Sequence, residues 1–121
     1  MNEPIWITKG TLLSMHAALL QRFGGAGGLR DEHLVDAALD RPRNRFCYDE
    51  PAPDLCCLAA SYTESIVGKH PFVDGNKRTG FLAAYTFLGL NGLQFVATEV
   101  ATVERTLALA ARAITEADYA D

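Results

Sequence analysis

The sequence predicts an all-α protein that folds as a single domain. Apolar residues recur at helical spacing along most of the chain, whereas alternation of apolar and polar residues is confined to short segments. The chain has 121 residues, enough for one hydrophobic core and too few for a second. Its composition, 49% hydrophobic and 21% charged, is typical of a folded soluble protein. We therefore expect residues 1–121 to form one compact domain.

The first predicted helix ends at Gly24-Gly25, because glycines are common where helices stop. Its inward face carries Leu12, His16, Leu19 and Phe23. On such an apolar face, a hydrogen-bonded packing histidine is far more common than a catalytic one. We therefore leave His16 out of the predicted site.

A second helix is predicted after Asp31, whose carboxylate can accept from the free N–H groups of the first turn. Pro42 is expected to end this helix, since proline has no amide hydrogen. From Arg41 to Asp54 the chain has three prolines and three arginines with little periodicity, which predicts a long loop or small hairpin. We expect this segment to form a substrate flap near the site, with a solvated charge cluster as the alternative. Its arginines are Arg41, Arg43 and Arg45.

Three further helices are predicted. Asp54 can cap a buried, central helix, and Asn76 can open the next one, which should close at Asn91-Gly92. Thr98 can cap a last long helix. The apolar residues of that helix are Val100, Val103, Leu107 and Ile114.

The charge and the cysteines exclude several classes of protein. A net charge of −4 argues against direct nucleic-acid binding, which needs clustered cations. The N-terminus lacks the basic region of a signal peptide and no apolar run could cross a bilayer, so we expect a cytoplasmic protein without a membrane partner. Cys47, Cys56 and Cys57 lack the spacing of a zinc site, and we expect Cys56 and Cys57 to be buried.

The stretch from His70 to Thr79 contains the residues best suited to phosphate chemistry. It precedes and opens a predicted helix, whose first turn has free N–H groups and a partial positive charge. Gly75 allows the backbone to curve so that several N–H groups converge on one anion. Lys77 and Arg78 lie in this first turn, where cations oppose the helix dipole unless an anion binds.

The remaining residues of this stretch supply an acid, a base and an anchor. Asp74 offers hard oxygen ligands for a Mg²⁺ ion that bridges phosphate oxygens. His70 can accept a proton from a hydroxyl, because imidazole titrates near neutral pH. Pro71 is expected to hold His70 in extended geometry, and Phe72 to anchor the loop in the core. A P-loop is excluded, because the spacing differs and a helix, not a strand, precedes the loop.

The stretch His70–Thr79 resembles the Fic/Doc signature, and its Asn76-Lys77-Arg78 form is similar to that of the Doc (death-on-curing) toxins. Phe23-Gly24-Gly25, Gly28–Asp31 and Asn91-Gly92 resemble further Doc landmarks, so the resemblance covers most of the chain. It implies a small helical bundle that acts as the toxin of a toxin–antitoxin pair. It also implies Mg²⁺ as cofactor and ATP or another nucleoside triphosphate as co-substrate.

The resemblance implies a base at His70, a metal ligand at Asp74 and phosphate contacts at four positions. These positions are Gly75, Asn76, Lys77 and Arg78. Fic adenylyltransferases have glycine in place of Lys77 and a second arginine in place of Phe81. The two departures imply a reversed nucleotide and transfer of its terminal phosphate, which in Doc goes to a threonine of elongation factor Tu and blocks translation.

Two alternatives to phosphate transfer remain open. One is transfer of AMP to a protein, and the other is a module that binds nucleotide or antitoxin without catalysis. The sequence contains no Ser/Thr-x-x-x-Glu motif, by which many Fic proteins inhibit themselves. The resemblance instead implies control by a separate antitoxin that inserts a helix near the active site.

Overall fold

The computed structural model describes residues 3–92, and four helices form within this range. In chain order they are α1 (Lys9–Phe23), α2 (Glu32–Tyr48), α3 (Leu55–Lys69) and α4 (Asn76–Leu90). The only β-type pairing in residues 3–92 is a single bridge between Leu29 and Phe72. The all-α fold class is therefore confirmed. The helix predicted after Thr98 lies outside the described residues.

Helix α3 lies at the centre of the described fold and packs against α2 and α4. Most of its side chains are buried, including those predicted to face inward: Leu58, Ala59, Tyr62 and Ile66. The Tyr62 hydroxyl accepts from the amide of Ile7 at 3.1 Å, which attaches the N-terminal segment to the core. Phe23 is half-exposed at the end of α1, although its spacing had placed it on the inward face. No helix within residues 3–92 combines the length and apolar character needed to cross a membrane.

Three of the four described helices begin at a side chain that accepts from the first turn. The predicted caps are confirmed: Asp31 accepts from the amide of His33 at 2.9 Å, and Asp54 from that of Cys57 at 2.8 Å. Thr8 caps α1 in the same way. Helix α4 differs, because Gly75 stands at its cap position and offers no side chain. The first turn of α4 therefore keeps its free N–H groups.

Helix α2 does not end at Pro42, and the loop or hairpin predicted from Arg41 to Asp54 was wrong for most of its length. Proline at position 42 leaves the carbonyl of Ala38 without its usual amide donor one turn later. The hydroxyl of Ser65 on α3 donates to that carbonyl at 2.9 Å. Because this contact replaces the missing helical hydrogen bond, α2 continues for six more residues to Tyr48.

The arginines of the predicted flap therefore lie on a helix. Arg41, Arg43 and Arg45 all belong to α2, and only residues 49–54 connect α2 to α3. Arg43 lies over the ring of Trp6 at 5.7 Å, and Arg45 pairs with Asp49 at 3.1 Å. Since no hairpin occurs in residues 3–92, the predicted loop or hairpin form of this flap was wrong, while contact of these arginines with a protein substrate stays a prediction.

The cysteines at the start of α3 are exposed, which corrects the prediction that Cys56 and Cys57 are buried. The inward positions of this helix begin at Leu55 and Leu58, and the two cysteines lie between them on the outer side. The pKa of the Cys56 thiol is raised by partial desolvation, and that of Cys57 by its hydrogen bond with Asp54. A raised pKa disfavours the reactive thiolate.

Candidate active site

The loop between α3 and α4 is fixed against the segment between α1 and α2. The amide of Arg30 donates to the carbonyl of Pro71 at 2.8 Å, and the amide of Val73 donates to that of Gly28 at 3.1 Å. These two hydrogen bonds flank the single bridge between Leu29 and Phe72. The loop is thus held by backbone contacts on a segment distant in sequence.

The centre of the loop is anchored in the core. The side chain of Phe72 is 1% exposed, and its ring stacks on that of His16 at a centroid distance of 3.7 Å. Nε2 of His16 lies 2.7 Å from the carbonyl oxygen of Asp74. Because a carbonyl only accepts, this nitrogen carries a hydrogen and donates. His16 is therefore a hydrogen-bonded packing histidine, as predicted, and it supports the loop directly.

His70 stands at the end of α3 in left-handed geometry, with φ 51° and ψ 57°. The prediction that Pro71 holds it in extended geometry was wrong, because His70 terminates the helix and its amide still donates to the carbonyl of Ile66. Nδ1 of His70 lies 3.1 Å from the carbonyl oxygen of Val67 and must donate to it. In the neutral ring this leaves the lone pair of Nε2 available to accept a proton.

Arg30 holds the backbone on either side of His70. Its Nε donates to the carbonyl oxygen of His70 at 2.7 Å, and its Nη2 to that of Lys69 at 2.7 Å. Nothing local in the sequence connects Arg30 to a loop about forty residues later. Its place in the Gly28–Asp31 landmark was the one signal available.

The carboxylate of Asp74 already accepts two backbone hydrogen bonds. Oδ1 accepts from the amide of Gly75 at 2.8 Å, and Oδ2 accepts from that of Ala26 at 3.3 Å. Both oxygens have further lone pairs, so the group remains able to bind a cation. In residues 3–92 no cluster of three His, Cys, Asp or Glu side chains surrounds it. One carboxylate can suffice for Mg²⁺, because this ion commonly takes its other ligands from waters and substrate phosphates.

The start of α4 is suited to an anion. Gly75 has φ 80°, a value that favours glycine, and within the described range no oxygen accepts from the amides of residues 76–78. The first turn contains no acidic side chain, and neither Lys77 nor Arg78 forms an ion pair with a described residue. The guanidinium of Arg78 lies over the ring of Phe23 at 4.4 Å. Positive charge is therefore concentrated here without an ion-pair partner in the described part of the chain, and the Asp74 carboxylate lies in the same cleft.

An open cleft of about 430 Å³ brings the predicted site residues together. It is lined by His70, Val73, Asp74, Gly75, Asn76, Lys77 and Arg78. The side-chain amide of Asn76 forms hydrogen bonds with the backbone of Phe72 within the loop. Only the backbone N–H of Asn76 can therefore donate to an anion. Arg41 and Arg45 are not in this cleft, since they line a separate depression beside Lys69.

Comparison with known proteins agrees with this arrangement. Residues 6–88, which include the whole loop, match the sequence model of the Fic/DOC family. "Toxin Doc" of Mycolicibacterium smegmatis is 44% identical over 75 residues, which cover 62% of this chain and 58% of that protein. "Protein kinase doc" of Escherichia phage P1 is 35% identical over 88 residues, covering 73% of this chain and 69% of that protein. The match thus spans less than two thirds of the mycobacterial relative. The chain belongs to the Fic/DOC family.

Proposed function

We propose that this protein is a Doc-like toxin that transfers the γ-phosphate of a nucleoside triphosphate, such as ATP, to a serine or threonine hydroxyl of a protein. The carrying observation is the hydrogen bond from Nδ1 of His70 to Val67, which leaves Nε2 as a proton acceptor in the cleft. The phage relative is named a protein kinase, which supports phosphate transfer. The candidate substrate is elongation factor Tu, whose modification would block translation in the cytoplasm.

The residues of the cleft divide the reaction between them. Nε2 of His70 accepts the proton of the incoming hydroxyl as its oxygen attacks the γ-phosphorus, and the nucleoside diphosphate leaves. The free amides at the start of α4, with Lys77 and Arg78, stabilise the negative charge on the phosphate oxygens. Asp74 would hold Mg²⁺, which would supply neutralisation of phosphate charge.

Two residues favour phosphate transfer over AMP transfer. Lys77 is exposed in the first turn of α4, where its side chain occupies space that glycine leaves open in Fic adenylyltransferases. Phe81 is partly buried against the hydrophobic core, so this position provides packing and no second guanidinium. A nucleotide without that clamp is expected to bind in the reversed orientation, with the γ-phosphorus toward His70.

We also propose that a separate antitoxin controls this activity. The mycobacterial relative is named a toxin, and the sequence lacks the inhibitory helix motif of many Fic proteins. The antitoxin would insert a helix near the active site. Its expected effect is loss of protein labelling when it is added at equimolar concentration.

Labelled ATP tests the proposed reaction. Purified elongation factor Tu is incubated with this protein, Mg²⁺ and ATP labelled at either the γ- or the α-phosphorus. We expect protein-bound label only from the γ-position, and label from the α-position would indicate AMP transfer instead. His70→Ala should abolish transfer with the melting temperature unchanged. The matched control is His33→Ala, which removes an exposed histidine that does not line the cleft.

A further inference from the structure

We infer that Arg30 is the positioning residue of the proposed base, holding His70 in the one backbone conformation that directs its Nε2 lone pair for proton transfer. Arg30 lies outside the signature loop and does not line the cleft. It therefore acts through His70. The inference rests on the proposed function only in assigning the base to His70.

The contacts of Arg30 cover three consecutive carbonyls. Its guanidinium donates to Lys69 and His70 at 2.7 Å each, and its amide donates to Pro71 at 2.8 Å. Carbonyls at the end of a helix have no partner within the helix, and a cation there interacts favourably with the helix dipole. A single residue thus fixes the end of α3 and the start of the loop together.

The conformation of His70 explains why these hydrogen bonds from Arg30, here called the clamp, are needed. His70 is the only non-glycine residue with positive φ among residues 3–92, and left-handed geometry is unfavourable for a side chain with a Cβ. The guanidinium holds the carbonyl of His70 and so opposes rotation toward an extended backbone. In this backbone conformation Nδ1 lies 3.1 Å from the carbonyl oxygen of Val67, and the hydrogen bond between them sets the tautomer.

Arginine suits this position better than lysine. The guanidinium is planar and presents several donors in a fixed fork, so two neighbouring carbonyls are bound at once. Arg30 is itself held in place by its amide, and the next residue, Asp31, caps α2. The clamp therefore extends from the start of α2 to the catalytic loop, and its geometry does not depend on a mobile side chain alone.

A matched set of variants tests whether Arg30 positions His70 or only stabilises the end of α3. Arg30→Gln removes the fork, Arg30→Lys keeps the charge and a reduced set of donors, and Asp54→Ala weakens the opposite end of the same helix. We expect Arg30→Gln to lower kcat roughly ten- to a hundredfold with KM for the nucleotide within about twofold. Arg30→Lys should be intermediate, and Asp54→Ala should lower the melting temperature while kcat stays near the wild-type value. Equal kcat losses in Arg30→Gln and Asp54→Ala would overturn the inference.

An NMR measurement decides the inference independently of catalysis. The ¹⁵N shifts of the His70 ring should report hydrogen on Nδ1 in the wild type and a mixture of tautomers in Arg30→Gln and, to a lesser degree, Arg30→Lys. Free guanidinium ion added to Arg30→Gln should partly restore the wild-type shifts. If both variants keep the wild-type tautomer, Arg30 does not position His70. If the wild type transfers no phosphate, the proposed function fails, while the ring shifts still test the clamp.

Discussion

The side-chain amide of Asn76 makes two hydrogen bonds with the backbone of Phe72. Its Oδ1 accepts from the Phe72 amide at 3.0 Å, and its Nδ2 donates to the Phe72 carbonyl at 2.9 Å. Both residues are buried, so the backbone groups of Phe72 depend on Asn76 for their hydrogen bonds. Asn76 thereby closes the loop between His70 and α4 into one rigid turn.

Asn76→Ala should therefore destabilise the protein and weaken nucleotide binding together. Two buried backbone groups of Phe72 lose their partners, each at a cost of about 1–3 kcal/mol. Urea denaturation and calorimetry with a nucleoside triphosphate measure the two effects. Asn44→Ala, at an exposed position on α2, is the matched control and should change neither. Unchanged stability in Asn76→Ala would show that the two hydrogen bonds do not hold the loop.

Asp74→Asn should remove most of the Mg²⁺ dependence of nucleotide binding. The amide oxygen of asparagine can still accept from one of the two amides that Asp74 contacts, so the loop keeps part of its support, but the negative charge is lost. We expect at least about a tenfold fall in affinity with Mg²⁺ and little change in the presence of EDTA. The same Mg²⁺-nucleotide affinity in variant and wild type would contradict a metal role for Asp74.

Gly25→Ala should lower activity by displacing Asp74, without changing any residue in the first turn of α4. A Cβ at Gly25 would lie 2.7 Å from Oδ2 of Asp74, and φ there is +124°, which strains any side chain. Displacement of the carboxylate should lower Mg²⁺-dependent transfer. The matched control is Gly27→Ala, where the added Cβ meets only a carbon of Leu20 at 3.9 Å. Full activity in Gly25→Ala would show that the position of Asp74 is not critical.

A double-mutant cycle tests how α2 passes Pro42. Ser65→Ala alone leaves the Ala38 carbonyl without a donor and should cost about 1–3 kcal/mol of unfolding free energy. In a Pro42→Ala background the new amide can donate to Ala38, so the same change should cost clearly less. Thermal or urea unfolding of the four proteins gives the coupling energy. If the losses of unfolding free energy in the two single variants simply add in the double variant, the Ser65 hydroxyl does not replace the amide donor that Pro42 lacks.

Features that depend on neighbouring residues could be predicted from the sequence. Asp31 and Asp54 cap helices through amides two or three positions ahead, and α4 begins at Asn76, as its sequence predicts. The loop residues that share the cleft are likewise adjacent in the chain. Local chemistry was sufficient in each case.

Features that depend on distant residues could not be predicted in this way. The path of α2 beyond Pro42 depends on Ser65, and the left-handed geometry of His70 is supported by Arg30. Local rules for proline gave the wrong expectation at both positions, because each rule describes a chain without these long-range donors. The exposure of Cys56 followed from helical spacing and was within reach of the sequence.

Intact-mass analysis of elongation factor Tu after incubation with this protein, Mg²⁺ and ATP tests the central claim most directly. The nucleotide orientation inferred from Lys77 and Phe81 predicts a mass increase of one phosphoryl group. This increase should be absent with His70→Ala. Lys77→Gly should reduce that product, because it removes a cation from the first turn of α4 and reopens the anion site to the other phosphate orientation. A mass increase of one AMP group with the wild-type protein would contradict the account.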